Sequence, residues 1–269
     1  MIESRLSNVE IDNYPSLELA DEKNNTNRCV NPLIDIVLPV YNEATIIRRV
    51  ILDYYCEIAQ KIPSRLIVVE DGSVDGTREI LFSLKNVIPM SLFSDPRRKG
   101  FAKGVGDGLK KCSAEWIFFS DSDGQYYSGD FWQLWNNRKG YDIIIGRKLH
   151  RDESVHRAIL ANGFHAIVNA LFGLKLHDAD CGFRLIRREV INSVIDEICC
   201  LQFSYNAEFA IRACLKGFKI REVPINHSRR SNGETQIYKP SKIPLIVLRQ
   251  LKGLVNLYAE TRKNPYYNQ

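Results

Sequence analysis

Two aspartates, Asp121 and Asp123, come directly after an apolar run that begins at Trp116 and has the composition of a β-strand. Carboxylates this close repel, and each raises the pKa of the other unless a cation lies between them. Mg²⁺ and Mn²⁺ prefer hard oxygen ligands, often one or two carboxylates together with substrate phosphates. The pair therefore indicates a divalent-metal site. Because Asp, Ser and Gly are also common in turns, residues 120–126 have an alternative interpretation as a plain turn.

Two further polar clusters follow apolar runs nearer the amino terminus. "PVYNE" places Tyr41 and Glu43 after the first run, where an aromatic ring can stack on a base and a carboxylate can accept from base or ribose. "VVEDGS" places Asp71 after the second run, and an acid in that position can bind a ribose or a base edge. The alternative for both clusters is local: helix caps and turns.

The elements that must hold these clusters alternate along the chain. Continuous apolar runs, typical of buried strands, are separated by segments with helical periodicity, so the sequence predicts an α/β fold with a mostly parallel sheet flanked by helices. Ligands of such sheets bind beyond the carboxyl ends of the strands. "PVYNE", "EDGS" and "DSDGQ" all lie at such ends, which favours one shared site over three unrelated turns.

Three later segments have both a functional and a structural interpretation. Residues 97–111 are rich in Gly and basic residues, and Lys103 is predicted near a phosphate, or else the segment is a flexible surface loop. Asp178 and Asp180 form a second acidic pair that could act as a base or orient a sugar, or else are solvated. Residues 225–242 have the composition of a loop closing over a diphosphate, or of a solvated charge run.

Bulk composition places the chain among ordinary globular proteins. It has 269 residues, of which 45% are hydrophobic and 26% charged, and its net charge of +5 suits a phosphate-bearing partner without indicating a nucleic acid. Seven cysteines without metal-type spacing predict reduced thiols. We expect a polar arm over residues 1–32, a catalytic domain over 33–241, and an amphipathic helix and tail over 242–269, with no transmembrane helix and no secretion signal.

Taken together and in order, the segments "PVYNE", "VVEDGSVDGT", "DSDGQY", "GRKLHRDES", "DADCGFRLIRREV" and "EVPINHSRRSNGET" resemble family 2 glycosyltransferases of the GT-A fold. The resemblance covers roughly residues 33–240 and is closest to the polyprenyl-phosphate branch, the dolichyl-phosphate mannose synthase type. It implies transfer of one sugar from a GDP- or UDP-sugar to a polyprenyl phosphate, with inversion at the anomeric carbon and with Mg²⁺ or Mn²⁺.

The resemblance also assigns expected roles to single residues. The nucleoside pocket is assigned to Pro39, Tyr41, Glu43, Val69 and Asp71, and the Asp-x-Asp motif to Asp121, Ser122 and Asp123, with Asp121, Asp123 and Gln125 as metal ligands. Contacts to donor or acceptor phosphates are assigned to Arg147 and Arg230, a place near the acceptor to Arg157, and a catalytic place to Asp178.

Two departures from the family pattern affect these expectations. Where relatives commonly have Gly-Glu-Ser-Lys, this chain ends the same segment in Gly-Glu-Thr-Gln, so that Gln236 stands in place of a lysine that neutralises phosphate. Lys239 or Lys242 could substitute for it, or donor binding could be weaker. Many relatives also carry carboxyl-terminal transmembrane helices, which are not expected here, so any membrane contact would have to come from the basic amphipathic helix.

The sequence therefore predicts a cytoplasmic glycosyltransferase, peripheral on the cytoplasmic membrane face if its acceptor is a lipid. A first alternative is a soluble glycosyltransferase acting on a glycan or a small-molecule hydroxyl, which would need Asp178 or Asp180 as a general base. A second is a non-catalytic nucleotide-sugar-binding protein. A nicotinamide dehydrogenase is disfavoured because no dinucleotide fingerprint follows the first strand.

Overall fold

The computed structural model describes residues 31–149, 155–228, 243–264 and Tyr267, with the backbone alone described for 155–160. Within these residues, one sheet contains β1 (Ile34–Val40), β2 (Ser64–Asp71), β3 (Met90–Asp95), β4 (Trp116–Ser120), β5 (Ile143–Lys148), β6 (Phe183–Arg187) and β7 (Ile220–Ile225). The helices are α1 (Ile47–Tyr54), α2 (Thr77–Lys85), α3 (Phe101–Leu109), α4 (Phe131–Asn136), α5 (Val155–Phe172), α6 (Arg188–Val194), α7 (Tyr205–Leu215) and α8 (Ile243–Lys263).

The sheet has the strand order β3-β2-β1-β4-β6-β5-β7. All pairings are parallel except those of β6, which is antiparallel to β4 on one side and to β5 on the other. The predicted mostly parallel α/β sheet is confirmed. The direction of β6 was not predicted, because an apolar strand has the same composition whichever way it runs.

The central strands are buried because their side chains on both faces are apolar. In β1 every residue except Pro39 is buried, and in β4 all five residues are buried. One buried carboxylate, Asp35, lies near the amino end of β1, where Arg65 binds both of its oxygens at 2.9 and 3.0 Å. The backbone N–H groups of Ser113 and Ala114 also donate to Asp35, at 2.6 and 2.9 Å. These bonds connect β2 and the start of β4 to β1 at the amino ends of the strands, opposite the predicted site.

The last helix, α8, packs against the domain along one face. Ile246, Leu254 and Leu257 are buried there, and the ring of Tyr258 lies 6.0 Å from that of Phe172 on α5. The sequence predicts an apolar face formed by Val247, Leu248, Leu251, Val255 and Tyr258, and of these Tyr258 packs on the covered side. Three of its members remain exposed, with fractional exposures of 65% for Leu248, 42% for Leu251 and 65% for Val255. The helix therefore has two apolar faces, of which one is covered.

Candidate active site

The loop after β4 is fixed at its start by backbone and hydroxyl contacts. The Asp121 N–H donates to the Gly182 carbonyl at 3.0 Å, and the hydroxyls of Tyr54 and Ser120 are 2.6 Å apart. Gly124 turns the loop with φ of 71°, a conformation that favours glycine, and an added Cβ would lie 2.5 Å from Ile46 Cδ1. The loop is therefore a tight, supported turn that presents Asp121 and Asp123 at the carboxyl end of β4.

The carboxylate of Asp121 is held without a hydrogen-bond partner among the described residues. Its Oδ1 atom is buried and accepts no hydrogen bond from them. Burial, followed by the neighbouring charge of Asp123, raises the pKa of Asp121 to about 7. A buried carboxylate oxygen with no donor nearby is unfavourable unless a cation or a proton satisfies it. Asp121 and Asp123 therefore fit a hard divalent cation.

Gly182 on the neighbouring chain segment makes room for this carboxylate. A Cβ added at Gly182 would lie 2.5 Å from Asp121 Cγ and 2.8 Å from Asp121 Oδ1. Both are well below the roughly 3.5–4.0 Å at which carbon atoms pack. The glycine of "DADCGFR" is thus required by the first aspartate of "DSD", a relation that the spacing in the sequence does not reveal.

Asp123 and Gln125 are neighbours in the same turn. The Gln125 N–H donates to Asp123 Oδ1 at 3.2 Å, and the Gln125 side-chain Nε2 donates to the Ser228 carbonyl at 3.0 Å. The Ser228 N–H in turn donates to the Gln125 carbonyl at 2.9 Å. The side-chain amide nitrogen of Gln125 thus faces Ser228, so the side-chain amide oxygen lies on the other side of the amide group. That oxygen is the atom that a cation would bind.

Ser122 joins the metal loop to the predicted nucleoside pocket. Its hydroxyl donates to the Pro39 carbonyl at 2.6 Å, which links the end of β4 to the end of β1. Two residues on, the ring of Tyr41 lies 4.0 Å from the Arg98 guanidinium carbon. At the end of β2, the Asp71 carboxylate accepts from the N–H groups of Lys99 and Gly100 at 2.7 and 2.8 Å. The three clusters predicted to share one edge of the sheet do lie together.

The remaining members of the predicted nucleoside pocket have structural contacts. The Glu43 N–H donates to the Thr77 hydroxyl at 2.8 Å, and Val69 lies in β2 shortly before its last residue, Asp71. Val69 also contacts α3, because a Cβ added at Gly108 would lie 2.7 Å from it. Lys103 is exposed on the same helix, one residue before Gly104, which packs beside the Asp71 carboxylate.

Asp178 is buried and Asp180 is half-buried, which rules out their interpretation as a solvated acidic loop. Asp178 is 3% exposed, and its Oδ1 lies 3.8 Å from His165 Nε2 on α5. Asp180 accepts from the Ala207 N–H at 3.1 Å, and burial raises its pKa to about 6, although the nearby Arg184 opposes the rise. The two acids therefore belong to the structured interior next to Asp121, whose pKa the charge of Asp180 also raises.

Sequence reasoning missed two buried cationic or basic side chains in this region. Arg184 lies within the apolar strand β6, is 1% exposed, and donates to the carbonyls of Ala179, Cys181 and Asn206. His165 is buried on α5. The sequence could have indicated the role of Arg184, because an arginine within an otherwise apolar strand is expected to be buried and hydrogen-bonded. Nothing in the periodicity of α5 marks His165 as facing Asp178.

The predicted phosphate-binding arginines are only partly described. Arg147 is exposed near the end of β5, in register with Pro224 of β7, and β6 separates its strand from β4. Arg230 and Gln236 lie outside the described residues, as do Lys239 and Lys242. Arg157 belongs to α5, but its side chain also lies outside the described part of the chain.

Cys199, Cys200 and Glu208 form a second group of side chains of the kinds that bind metals. Their potential ligand atoms lie within 4.8 Å of one another. The Glu208 carboxylate is already saturated. It accepts from the N–H groups of Cys199 at 3.0 Å and Cys200 at 2.8 Å, and pairs with Arg212 at 2.9 Å. Burial and the charge of Glu208 raise the pKa of Cys200 to about 12. This cluster is therefore a structural ion pair rather than a metal site.

Comparison with known proteins supplies a family. The model of the family described as Glycosyl transferase family 2 matches residues 35–195. The chain is 24% identical over 263 residues to the dolichyl-phosphate beta-glucosyltransferase of Saccharomyces cerevisiae, covering 86% of this chain and 78% of that protein. It is 25% identical over 226 residues to the dolichyl-phosphate beta-glucosyltransferase ALG5A of Trichomonas vaginalis, covering 76% of this chain and 68% of that protein.

Solved structures share the fold. Glucosyl-3-phosphoglycerate synthase from Mycobacterium tuberculosis, in complex with Mn²⁺, UDP-glucose and phosphoglyceric acid, superposes with a TM-score of 0.61 at 17% identity, covering 85% of this chain and 80% of that one. The complex of that synthase with Mg²⁺ and UDP gives the same TM-score, identity and coverage. At these identities the likeness shows the architecture, which is the GT-A fold.

Proposed function

Because the chain belongs to glycosyl transferase family 2, we propose that it is a metal-dependent inverting enzyme that moves one sugar from a UDP-sugar to a polyprenyl phosphate. UDP-glucose is the first donor to test, because the similar curated proteins are named as beta-glucosyltransferases and the similar solved structure holds UDP-glucose. A dolichyl-type phosphate is the first acceptor to test, for the same reason.

The observation that carries this proposal is the buried, unpartnered Oδ1 of Asp121 beside Asp123 at the end of β4. Asp121 and Asp123, with the amide oxygen of Gln125, would hold the cation. When bound, the cation would neutralise the charge that builds up on the diphosphate as the nucleoside diphosphate leaves. Ser122 keeps the metal loop against Pro39, so that the cation and nucleoside positions stay in register.

The nucleoside would lie between the ends of β1 and β2. Tyr41 offers a ring for stacking. Asp71 keeps acceptor capacity, since a carboxylate has about four acceptor positions and two backbone N–H groups use only part of them. Arg147 and Arg230 would contact phosphates of donor or acceptor, and removal of Arg230 is expected to lower catalytic efficiency about tenfold to a hundredfold, the equivalent of one hydrogen bond to a charged group.

A phosphate acceptor suits a site in which proton transfer is not the main task. The second pKa of a phosphate monoester is about 6, so the nucleophilic oxygen is largely ionised near neutral pH. In that case Asp178 and Asp180 orient groups rather than remove a proton.

A second candidate function is transfer to a hydroxyl, which the buried Asp178 and His165 pair favours. A hydroxyl acceptor needs a general base, and a carboxylate 3.8 Å from an imidazole is a reasonable one. The synthase that shares the fold is described in complex with phosphoglyceric acid, which is not a lipid. Turnover with soluble acceptors and none with polyprenyl phosphates would select this alternative.

A lipid acceptor also requires that the enzyme reach a membrane surface, and we propose the exposed face of α8 for that contact. In the described residues no helix has the length and hydropathy to cross a bilayer. Leu248, Leu251 and Val255 form an exposed apolar stripe, and Arg249 and Lys252 flank it. Each basic residue near an anionic surface contributes about 1 kcal/mol to binding.

The test is a donor and acceptor panel with the purified chain. UDP-glucose, other UDP-sugars and GDP-sugars are assayed with a polyprenyl phosphate and with soluble acceptors, with Mn²⁺, with Mg²⁺ and after chelation. Asp123→Asn is expected to abolish transfer while the protein stays folded, because Asp123 lies in a loop at the edge of the sheet. The matched control is Asp196→Asn, a surface carboxylate paired with Lys110, which should keep full activity. Metal-independent transfer by Asp123→Asn would refute the proposed metal site. Nucleotide-sugar binding without turnover on any acceptor would select the non-catalytic alternative.

A further inference from the structure

A cavity of about 400 Å³ lies between α8, the start of α7 and the segment of residues 198–203. Contacts between these elements fix its walls. The Gln250 side-chain Nε2 donates to the Ser204 hydroxyl at 2.6 Å. A Cβ added at Gly253 would lie 2.5 Å from the Cys200 carbonyl oxygen, so α8 crosses that segment in close contact. None of the residues assigned to the donor, the metal or catalysis lines this cavity.

The charged side chains that line the cavity favour an anionic ligand. Arg249 and Lys252 are exposed at its surface and form no ion pair with another described residue. Glu208 is the one carboxylate among the described lining residues, and it is buried. It pairs with Arg212 at 2.9 Å and accepts from the N–H groups of residues 199–201. The cavity therefore presents two cations whose charges no carboxylate within it balances.

Tyr205 lines the same cavity and carries a hydroxyl without a partner. The residue is 5% exposed, and its hydroxyl oxygen is buried and has no hydrogen-bond partner among the described residues. Its ring is held against Phe101 in an edge-to-face contact, with centroids 6.5 Å apart. Burial raises the pKa of the Tyr205 hydroxyl above its ordinary value, so the group stays protonated and can donate. Because a buried hydroxyl without a partner is unfavourable, a ligand oxygen that accepts from it would be stabilising.

The cavity opens beside the exposed apolar stripe of α8. Successive residues of an α-helix are about 100° apart around its axis. Counted from Leu248 in the stripe, Lys252 is therefore displaced by roughly 40° and Arg249 by roughly 100°. Gly253, on the covered side, is displaced by roughly 140°. The two basic residues thus lie between the surface proposed to contact a membrane and the surface packed on the domain, where lipid headgroups would lie.

We propose that this cavity binds the headgroup phosphate of an anionic phospholipid, with Arg249 and Lys252 neutralising its charge and the Tyr205 hydroxyl donating to one of its oxygens. This inference rests on the proposed membrane contact of α8 and extends it from general attraction to a specific site. An ionised phosphate offers only acceptor oxygens, and the three protein groups are donors. A lipid is favoured over a free phosphate because the acyl chains would continue along the apolar stripe into the bilayer.

The experiment measures co-sedimentation of the full chain with vesicles of phosphatidylcholine alone and with vesicles that also contain phosphatidylglycerol. The vesicles hold no polyprenyl phosphate and no nucleotide sugar is added, so transferase activity does not enter the measurement. The variants are Arg249→Ala, Lys252→Ala and Tyr205→Phe. The matched control is Lys263→Ala, which removes an exposed charge from the same flank of α8, about three turns further on and outside the cavity.

The site and general attraction predict different losses of affinity. Removing one basic residue from an anionic surface costs roughly fivefold, the equivalent of about 1 kcal/mol, and Lys263→Ala should lose no more than that. Arg249→Ala and Lys252→Ala also lose a hydrogen bond to a charged group, so their affinity for anionic vesicles should fall about fiftyfold. Tyr205→Phe changes no charge and should weaken this binding about threefold or more, while its melting temperature stays equal or rises. Binding to neutral vesicles should not change in any variant.

Two results would overturn the headgroup site while leaving the membrane contact of α8 in place. One is an equal loss of affinity in Lys252→Ala and Lys263→Ala, as expected for general attraction. The other is unchanged affinity in Tyr205→Phe. If the wild type sediments with neither kind of vesicle, the membrane contact fails together with this inference, whereas the transferase proposal is tested separately by the donor and acceptor panel.

A calorimetric titration with glycerol 3-phosphate distinguishes a lipid headgroup from a free phosphate. This soluble phosphate gains nothing from the apolar stripe, so it is expected to bind the wild type no more tightly than about 0.1 mM. Tighter binding, lost in Lys252→Ala, would assign the cavity to a soluble phosphate and overturn the lipid assignment.

Discussion

Replacing Gly182 by alanine is expected to disable the metal loop while leaving the fold largely intact. The added methyl group would lie 2.5 Å from Asp121 Cγ, so the carboxyl must retreat by about 1 Å to reach an ordinary carbon–carbon separation. The backbones cannot separate easily, because the Asp121 N–H donates to the Gly182 carbonyl at 3.0 Å. The side chain of Asp121 is therefore the part that moves.

The expected magnitudes follow from that displacement. Overpacking in a structured interior costs about 1–3 kcal/mol of unfolding free energy, and the low end applies here because the crowded atoms end a short side chain. A catalytic group misplaced by about 1 Å can cost roughly a hundredfold in rate. We therefore expect Gly182→Ala to lose about 1 kcal/mol of stability and about two orders of magnitude of transferase activity, together with a weaker affinity for Mn²⁺.

A double-mutant cycle with Asp121→Ala tests this reasoning. Unfolding by urea and Mn²⁺ binding by calorimetry are measured for the wild type, the two single variants and the double variant. The three atoms nearest to the methyl group at position 182 all belong to the Asp121 carboxyl, so with that carboxyl removed the stability cost should fall below about 0.5 kcal/mol in the Asp121→Ala background. An equal cost in both backgrounds would refute the steric relation between the two positions.

Three other perturbations have defined outcomes. Burial raises the pKa of Asp121 to about 7 from the ordinary value near 4. The contribution of this carboxyl to stability is therefore complete below about pH 4 and is lost as the pH rises through 7. In metal-free buffer, the melting temperature of Asp121→Asn should exceed that of the wild type by a larger margin at pH 8 than at pH 5. Gln236→Lys adds a cation in the segment that resembles a phosphate-binding loop. Donor titrations should show tighter binding by this variant than by the wild type, most at low salt, with an unchanged preference between UDP- and GDP-sugars. Equal donor affinities of variant and wild type at both salt concentrations would argue against a phosphate contact. Replacing Leu248 and Val255 by glutamate should reduce co-sedimentation with anionic liposomes without lowering the melting temperature. The control Asn256→Glu, which adds a charge on the polar flank, should reduce co-sedimentation less. Equal losses of co-sedimentation would show that the apolar stripe does not make the membrane contact.

The sequence predicted the elements of the site better than the contacts between them. Strand ends could be located from apolar runs, and the parallel-sheet rule then placed Tyr41, Asp71 and Asp121 on one edge, as the structure has them. That inference needs only local composition and one topological rule. It does not need to know which strands are neighbours.

What the sequence could not provide depends on pairings between distant segments. The burial of Asp178 and the partial burial of Asp180 follow from the antiparallel entry of β6 beside β4, which no local pattern encodes. The covered face of α8 is defined by its packing near α5, so an amphipathic pattern alone did not distinguish the buried stripe from the exposed one. The close relation of Gly182 to Asp121 joins positions far apart in the chain and has no sequence signature.

The position of β6 in the sheet also bears on the order in which a ribosome delivers the chain. The strands from β1 to β4 come from one continuous stretch and can pair with each other as they emerge, because each next neighbour has already been made. The other neighbour of β4 is β6, which is synthesised only after β5 and the whole of α5. Until then the aromatic strand Trp116–Ser120 has an open edge, and such an edge pairs readily with other chains. A nascent chain is therefore expected to complete its nucleoside half first, and to depend most on chaperones during the interval before Gly182 arrives beside Asp121.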